Sequence, residues 1–113
     1  MLVRQHTRFP VTFSGTLAYQ YHLHLITKSL DLSRKGCRLE SPIEAFAGME
    51  VNLFLSLPEG ESPILIEHAV VRWCRPFELG IEFQSISSVY RQRLERTIQK
   101  LERKDSQRGA DSR

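Results

Sequence analysis

An alternation of apolar and polar side chains in the middle of the chain constrains this fold more than any other feature. The odd-numbered positions from Val51 to Leu57 are all aliphatic, whereas Asn52 and Ser56 lie between them. A period of two residues is typical of a β-strand that turns one face toward a hydrophobic core. The segment is therefore predicted to be a half-buried strand.

Short runs of strand-forming residues continue from Phe9 to Ile86 and are broken by Gly, Pro, Ser and acidic residues that favour turns. Six strands are predicted: Val11–Tyr21, Leu23–Leu30, Gly36–Glu40, Glu50–Leu57, Ile64–Arg75 and Leu79–Gln84. In the fifth run the apolar positions change from even to odd near Glu67 and His68, which predicts a β-bulge. Many short strands in series favour an all-β fold, a six-stranded antiparallel β-barrel with few exposed edges.

The last part of the chain has a helical pattern. Four apolar residues share the spacing of one helix face: Tyr90, Leu94, Ile98 and Leu101. They predict a C-terminal α-helix over about 88–103 that packs on the barrel. Residues 105–113 contain Ala110 as their single apolar residue, which predicts a disordered tail. A chain of 113 residues suits one domain, which we expect to span 1–104.

The charge distribution bears on nucleic-acid binding. The chain has a formal net charge of +3, but residues 91–113 hold eight of its sixteen Lys and Arg residues and four of its thirteen acids. Residues 1–90 therefore carry a net charge of −1 and create no broad positive field. Barrels that bind single strands interleave aromatic and basic residues across a sheet face, and that interleaving is weak here. We expect no binding of DNA or RNA.

Membrane insertion, disulfides and metal binding are not predicted either. No apolar run is long enough to span a bilayer and no secretory signal pattern is present, so we expect a cytoplasmic protein without direct membrane insertion. Cys37 and Cys74 lack the spacing of zinc ligands or of a disulfide framework, and we expect buried, reduced thiols. His22 and His24 share one strand face but have no evident third metal ligand, so an exposed polar face is expected and neither a metal nor a cofactor is predicted.

Two polar clusters lie at predicted strand ends. Arg4 and Arg8 precede the first strand, and Asp31, Ser33 and Gly36 occupy the turn between the second and third strands. If the first two strands form a hairpin, the chain returns to the end of the barrel where it began. The two clusters are then expected to meet in one site.

The residue types in these clusters suit a guanine nucleotide. Arginine presents a planar fork that matches phosphate oxygens or the O6 and N7 acceptors of guanine. The carboxylate of Asp31 can accept the two protons on the Watson-Crick edge of guanine, and Ser33 can add a hydroxyl contact. Gly36 can take a positive φ or let a ligand approach the backbone closely. The Gly-rich motifs of P-loop and dinucleotide-binding folds are missing from the sequence.

The order RxxxR (Arg4 to Arg8) and then DxSxxG (Asp31 to Gly36) resembles the PilZ family of bacterial cyclic di-GMP receptors. Two later segments also resemble the family: V-x-W at 71–73 and G-[VI]-x-F at 80–83. The resemblance covers about residues 4–102. It implies a six-stranded antiparallel barrel with a terminal helix, a ligand site on the outside of the barrel, and no enzymatic reaction.

The resemblance also assigns roles to residues. Arg4 and Arg8 would grip phosphate and guanine, Asp31 and Ser33 would read the base, and Gly36 would supply the backbone shape. Three further residues are candidates for ligand contact: Val3, His6 and Arg34. Because Val3 offers no cation to a second ligand, a single ligand is favoured. Family members reorder the arginine segment on binding and thereby signal to a partner, here an unidentified effector protein.

Other interpretations of the same residues stay open. Asp31 and Ser33 are common in turns without any ligand, and Trp73 is more typical of a core or barrel rim than of a base-stacking platform. Arg34, Lys35 and Arg38 either strengthen a local positive potential or are solvated charges. The alternative function is a PilZ-like protein–protein adaptor that binds no nucleotide. Nothing indicates a catalytic triad, and we expect a monomer or a weak homodimer.

Overall fold

The computed structural model describes residues 7–57 and 62–111, with side chains as far as Lys104. Seven strands and one helix are present in this part of the chain: β1 (Ser14–Tyr19), β2 (His22–Leu25), β3 (Lys28–Leu32), β4 (Gly36–Glu40), β5 (Glu50–Ser56), β6 (Ile64–Arg75), β7 (Glu78–Ser85) and α1 (Ser88–Asp111). All the strand pairs are antiparallel and form one sheet in the order β2-β1-β5-β6-β7-β4-β3. The fold is thus mostly β with one C-terminal helix, as the sequence predicts.

The predicted second strand is divided, and the six-stranded closed barrel is not confirmed. The chain changes neighbours between β2 and β3: the amide of Ile26 donates to the Gly15 carbonyl at 3.0 Å, whereas the amide of Thr27 donates to the Glu40 carbonyl at 2.8 Å. As a result, β2 pairs with β1 and β3 pairs with β4. β2 and β3 are therefore the two edge strands of an open seven-stranded sheet. Side-chain alternation indicates a strand but not which neighbour it pairs with.

The bulge predicted near Glu67 and His68 is confirmed. Between the pairs Val51 with Ala69 and Leu53 with Ile66, β6 contains one residue more than β5. The register of β6 against β7 shifts at the same place. The extra residue keeps apolar side chains of β6 on the buried face on both sides of the bulge, which accounts for the change of phase in the sequence.

The core contains side chains from six strands, from the neighbouring loops and from α1. Leu17, Leu53, Ile66 and Val71 are fully buried within the sheet, and Leu94 and Ile98 of α1 are buried against it. Tyr90 and Leu101 are partly buried at the margin of the same cluster. The apolar stripe predicted from the sequence therefore packs on the sheet, as expected.

The helix is longer than predicted. It continues to Asp111, eight residues past its expected end near 103, so the backbone is helical over most of the segment predicted to be a disordered tail from 105. No proline interrupts this segment, and each added helical residue adds one backbone hydrogen bond. Backbone hydrogen bonding within the helix, and not apolar burial, accounts for the added length.

The two cysteines differ in environment. Cys37 is buried. Its burial, and to a smaller extent the nearby charge of Asp31, raises the pKa of its thiol. Cys74 is exposed near the end of β6, so the prediction of a buried thiol is wrong there. The described residues include no group of three His, Cys, Asp or Glu side chains that would hold a metal ion. Within the same residues, no helix has the length and apolar character needed to cross a membrane.

Candidate functional site

The β3–β4 hairpin carries the second polar cluster, and Ser33 shapes its turn. The Ser33 amide donates to the Gly36 carbonyl at 2.8 Å. Its hydroxyl oxygen accepts hydrogen bonds from the amides of Lys35 at 3.2 Å and Gly36 at 3.1 Å. Ser33 is only 3% exposed. The local turn chemistry considered for this residue is therefore present in the structure.

Glycine at position 36 permits a close approach of β4 to another strand, β7, whereas the sequence predicted a close approach of a ligand. A Cβ atom at this position would lie 2.2 Å from the carbonyl oxygen of Ile81 in β7. The φ of Gly36 is outside the positive region, so a left-handed conformation is not the reason for the glycine. The side-chain-free position lets β4 and β7 pack at this point.

A bulge in β3 determines what Asp31 faces. Ser29 pairs with Leu39 and Asp31 pairs with Arg38, so β3 has one extra residue, Leu30, between these pairs. Asp31 is consequently opposite Arg38, whose Nε atom lies 2.6 Å from the carboxylate Oδ2. The Asp31 side chain is 5% exposed, and this cross-strand ion pair helps to compensate for its burial.

The chain segment before β1 brings Arg8 to the same carboxylate. Phe9 and Leu32 form an antiparallel bridge with reciprocal backbone hydrogen bonds of 2.9 and 3.0 Å. Arg8 Nη1 then lies 3.2 Å from Asp31 Oδ1. The expected meeting of the two clusters is thus confirmed for Arg8. The other residues predicted at this end of the site, Val3, Arg4 and His6, lie outside the described residues.

Four paired positions continue the site across the sheet. Asp31 pairs with Arg38, Arg38 with Gly80, and Gly80 with Trp73, so one row crosses β3, β4, β7 and β6. A surface pocket of about 450 Å³ lies over this row and is lined by Arg8, Pro10, Leu30, Asp31, Arg38 and Trp73.

The position of Trp73 depends on the glycine beside it. A Cβ atom on Gly80 would come within 2.2 Å of the indole ring, so only glycine leaves room for the ring. The guanidinium of Arg75 lies 5.2 Å from the ring centroid, within the range of a cation–π contact. These neighbours hold Trp73 as an aromatic wall of the pocket.

Sequence reasoning did not include Arg38 and Trp73 among the ligand-contact candidates. The V-x-W and G-[VI]-x-F segments place Trp73 and Gly80 on consecutive strands of the sequence. Trp73 pairs with Gly80 because β6 shifts register against β7 between Val71 and Trp73. Asp31 pairs with Arg38 because of the bulge in β3. A one-residue shift between paired strands reverses the face on which a side chain lies, and the alternation pattern in the sequence does not locate such shifts reliably.

Arg34 was predicted as a possible ligand contact, but it bonds to the helix. Its guanidinium Nη2 lies 2.8 Å from Glu95 Oε1, and its Nη1 lies 3.0 Å from Glu102 Oε2. These hydrogen bonds raise the pKa of Arg34 and lower the pKa of Glu95. Arg34 is not among the residues that line the 450 Å³ pocket.

The charges at the pocket are unequal. Asp31 accepts from both Arg8 and Arg38, so two guanidinium groups share one carboxylate. The arginine side chains are 38% and 41% exposed, whereas that of Asp31 is almost fully buried. The accessible part of the cluster is therefore cationic, and arginine guanidinium groups in this setting suit a phosphate or another anion.

Comparison with known proteins identifies the family. The sequence pattern of the PilZ domain matches residues 2–100, and the chain belongs to the PilZ domain family. A search of curated proteins finds no match. Among solved structures, the chain is similar to the Bacillus subtilis inhibitor of motility (MotI/DgrA), with a TM-score of 0.72 and 22% sequence identity. The match covers 95% of this chain and 53% of that one, so this chain spans about half the length of its structural relative.

Proposed function

We propose that the pocket beside Trp73 binds cyclic di-GMP and that the protein is a receptor or adaptor that transmits this binding to a partner protein. The observation that carries the proposal is the convergence of Arg8 and Arg38 on the buried carboxylate of Asp31. Membership of the PilZ domain family supports the choice of nucleotide. No chemical reaction forms part of the proposal.

Each part of a guanine nucleotide has a complementary group in the site. The arginine guanidiniums carry the charge and planar geometry that phosphate oxygens require. The carboxylate of Asp31 suits the two donors on the Watson-Crick edge of guanine. The indole of Trp73 offers an aromatic surface, and stacking of a base on such a surface is worth roughly 1–3 kcal/mol.

Both oxygens of Asp31 already accept hydrogen bonds from arginine, and we propose that recognition of guanine by Asp31 involves an exchange of partners. In the proposed exchange, the guanine edge replaces the Arg8 guanidinium at Oδ1, and Arg8 turns to a phosphate of the same ligand. Arg8 is the more easily displaced partner because its bond is 3.2 Å long, against 2.6 Å for Arg38.

Arg4 is proposed to join the ligand as the second arginine of the RxxxR segment. Movement of Arg8 away from Asp31 would act on the backbone that bridges to β3 at Phe9. A change at this bridge alters the surface around the first strand, which a partner protein would then recognise. Ser33 and Gly36 maintain the hairpin that carries Asp31.

The proposal is tested by isothermal titration of the purified protein with cyclic di-GMP, with cyclic di-AMP and GTP as nucleotide controls. We expect micromolar or tighter binding of cyclic di-GMP alone. Arg8→Ala should weaken it by at least about tenfold, since a charge-assisted hydrogen bond contributes roughly 1.5–3 kcal/mol. Arg72→Ala is the matched control because Arg72 forms an exposed ion pair with Glu82 and does not line the pocket.

A second readout comes from the fluorescence of Trp73, the single tryptophan of the chain. A ligand in the pocket should change its emission with the same titration midpoint as the heat signal. The absence of both signals would exclude cyclic di-GMP binding at this site.

A nucleotide-independent adaptor is the second candidate function. In its favour, Asp31 forms ion pairs with Arg8 and Arg38 of the same chain, so the hairpin has its own charge partners. An absence of cyclic di-GMP binding in the titration would support this candidate.

A further inference from the structure

Arg34 links the turn of the candidate site to helix α1 through an unusually complete set of hydrogen bonds. Its Nε atom lies 3.0 Å from both carboxylate oxygens of Glu95, and its Nη2 atom lies 2.8 Å from one of them. Its Nη1 and Nη2 atoms also donate to Glu102, at 3.0 and 3.2 Å. Each nitrogen of the guanidinium therefore has a carboxylate partner on the helix.

The backbone of the same turn is fixed from two further directions. The carbonyl of Arg34 accepts a hydrogen bond of 3.4 Å from Arg91 Nη1 of the helix. The carbonyl of Lys35 accepts one of 2.7 Å from the Phe83 amide of β7. The turn that follows Asp31 is thus held by α1 on one side and by the sheet on the other.

We propose that Arg34 is a positioning residue that couples the pocket to helix α1, so that occupation of the pocket tightens the attachment of the helix. Arg34 lies three residues after Asp31, inside the turn that the Ser33 hydroxyl closes. That hydroxyl accepts from the amides of Lys35 and Gly36. A ligand that orders Asp31 also orders this turn, which favours the guanidinium geometry that α1 requires. The coupling to cyclic di-GMP rests on the function proposed above.

Direct contact of Arg34 with the nucleotide is the competing explanation. The structure favours positioning because the guanidinium is saturated by two carboxylates and does not line the pocket. The two explanations predict opposite effects of the helix acids. If Arg34 binds the ligand directly, removing Glu95 and Glu102 frees it and strengthens binding. If it acts by positioning, removing them weakens binding as Arg34→Gln does.

Thermodynamic linkage makes the coupling free energy reciprocal. The free energy by which the ligand strengthens attachment of the helix equals the free energy by which helix attachment strengthens ligand binding. Partly exposed ion pairs contribute little individually. For two such pairs we expect amide exchange over 88–104 to increase about threefold to tenfold in Arg34→Gln. Arg34→Lys retains a charge for one carboxylate and should restore part of the protection.

Hydrogen exchange measured by mass spectrometry tests the inference on the full chain, with and without cyclic di-GMP. The variants are Arg34→Gln, Arg34→Lys and the double variant Glu95→Gln with Glu102→Gln, and Arg72→Gln serves as a control that removes an exposed ion pair of the sheet. Titration calorimetry of the same variants supplies the affinities. In wild type, the nucleotide should slow exchange in α1.

Faster α1 exchange in Arg34→Gln and in the double variant without nucleotide, together with loss of the nucleotide-dependent protection, would support the coupling. Unchanged exchange without nucleotide would overturn the link itself, whether or not the protein binds cyclic di-GMP. Tighter binding by the double variant would overturn positioning in favour of direct contact. Absence of binding by wild type would instead refute the proposed function, and the ligand-free comparison would still decide whether Arg34 holds the helix.

Discussion

Two clusters of three charges meet at the β3–β4 hairpin, and they have opposite composition. In the pocket cluster, the single carboxylate of Asp31 is shared by Arg8 and Arg38. In the helix cluster, the single guanidinium of Arg34 is shared by Glu95 and Glu102. Among these ion-paired groups, the pocket cluster has two cations and one anion, and the helix cluster has one cation and two anions, of which Glu95 is also close to Arg91.

The difference shows how neighbouring arginines acquire different roles. The acid of the pocket cluster is 5% exposed while its arginines are about two-fifths exposed, so solvent and ligands reach the cations. In the helix cluster, the acids are 40% and 44% exposed; the arginine is 30% exposed, but each nitrogen of its guanidinium is bonded to a carboxylate of the helix. The first arrangement is suited to receive an anion, and the second is suited to hold two elements together.

The largest effect is expected from Asp31→Ala. This change removes the proposed guanine acceptor and the anchor of both arginines, so two charge-assisted contacts are affected. Cyclic di-GMP affinity should fall by about 100-fold, corresponding to about 3 kcal/mol. Titration calorimetry checks the result. Asp31→Asn, which keeps the size of the side chain, should also lose selectivity for guanine; unchanged affinity in both variants would show that Asp31 has no part in the site.

Gly36→Ala tests whether this glycine serves strand packing, as the structure indicates, or ligand approach. The new Cβ atom would overlap the Ile81 carbonyl, and overpacking of this kind costs about 1–3 kcal/mol of unfolding free energy. Denaturant unfolding measures the loss. Gly48→Ala is the comparison because a Cβ atom there meets no neighbour within 4 Å and is opposed only by a φ of +93°. A stable Gly36→Ala variant that fails to bind nucleotide would contradict the packing role.

Arg38→Gln tests the composition of the pocket cluster directly. Removal of one of its two cations should weaken cyclic di-GMP binding by about tenfold, through loss of a charge-assisted contact and of the Asp31 anchor. The matched change on the other cluster, Arg34→Gln, should have a smaller effect on affinity, because Arg34 acts through α1. Equal losses of cyclic di-GMP affinity in the two variants would show that the two clusters do not differ in their roles.

The smallest effect is expected for the stabilising contribution of Glu95 and its dependence on pH. Hydrogen bonding to Arg34 lowers the pKa of Glu95 in the folded protein, so its stabilising contribution is present above the usual carboxyl pKa and is lost as pH falls through the lowered value. Glu95→Gln should reduce unfolding free energy near neutral pH by less than about 1 kcal/mol, and the difference should shrink as the pH falls below the ordinary carboxyl pKa. Urea unfolding across this range measures it. A difference that grows on acidification would contradict the Arg34 contact.

The family, the strand-rich fold and the terminal helix could be predicted from the sequence because they depend on local patterns. The bounds of β4 and β6 match their predicted ranges, since turn residues and alternation mark them clearly. The approach of Arg8 to Asp31 also followed from hairpin geometry. The extent of α1 and the division of the second strand did not follow, because helix propagation and the change of neighbouring strand depend on backbone bonding rather than on the apolar pattern.

The sequence by itself determined which chemical groups are available: paired arginines, an Asp-Ser-Gly turn and an aromatic residue on a later strand. Tertiary structure decided which of them lie together. The extra residue Leu30 sets Asp31 opposite Arg38, and Gly80 leaves the space in which Trp73 lies beside that pair. Arg34 forms its ion pairs with the helix and does not line the pocket. Charge pairing at short distance depends on strand register and helix docking, and both are fixed only when the core packs.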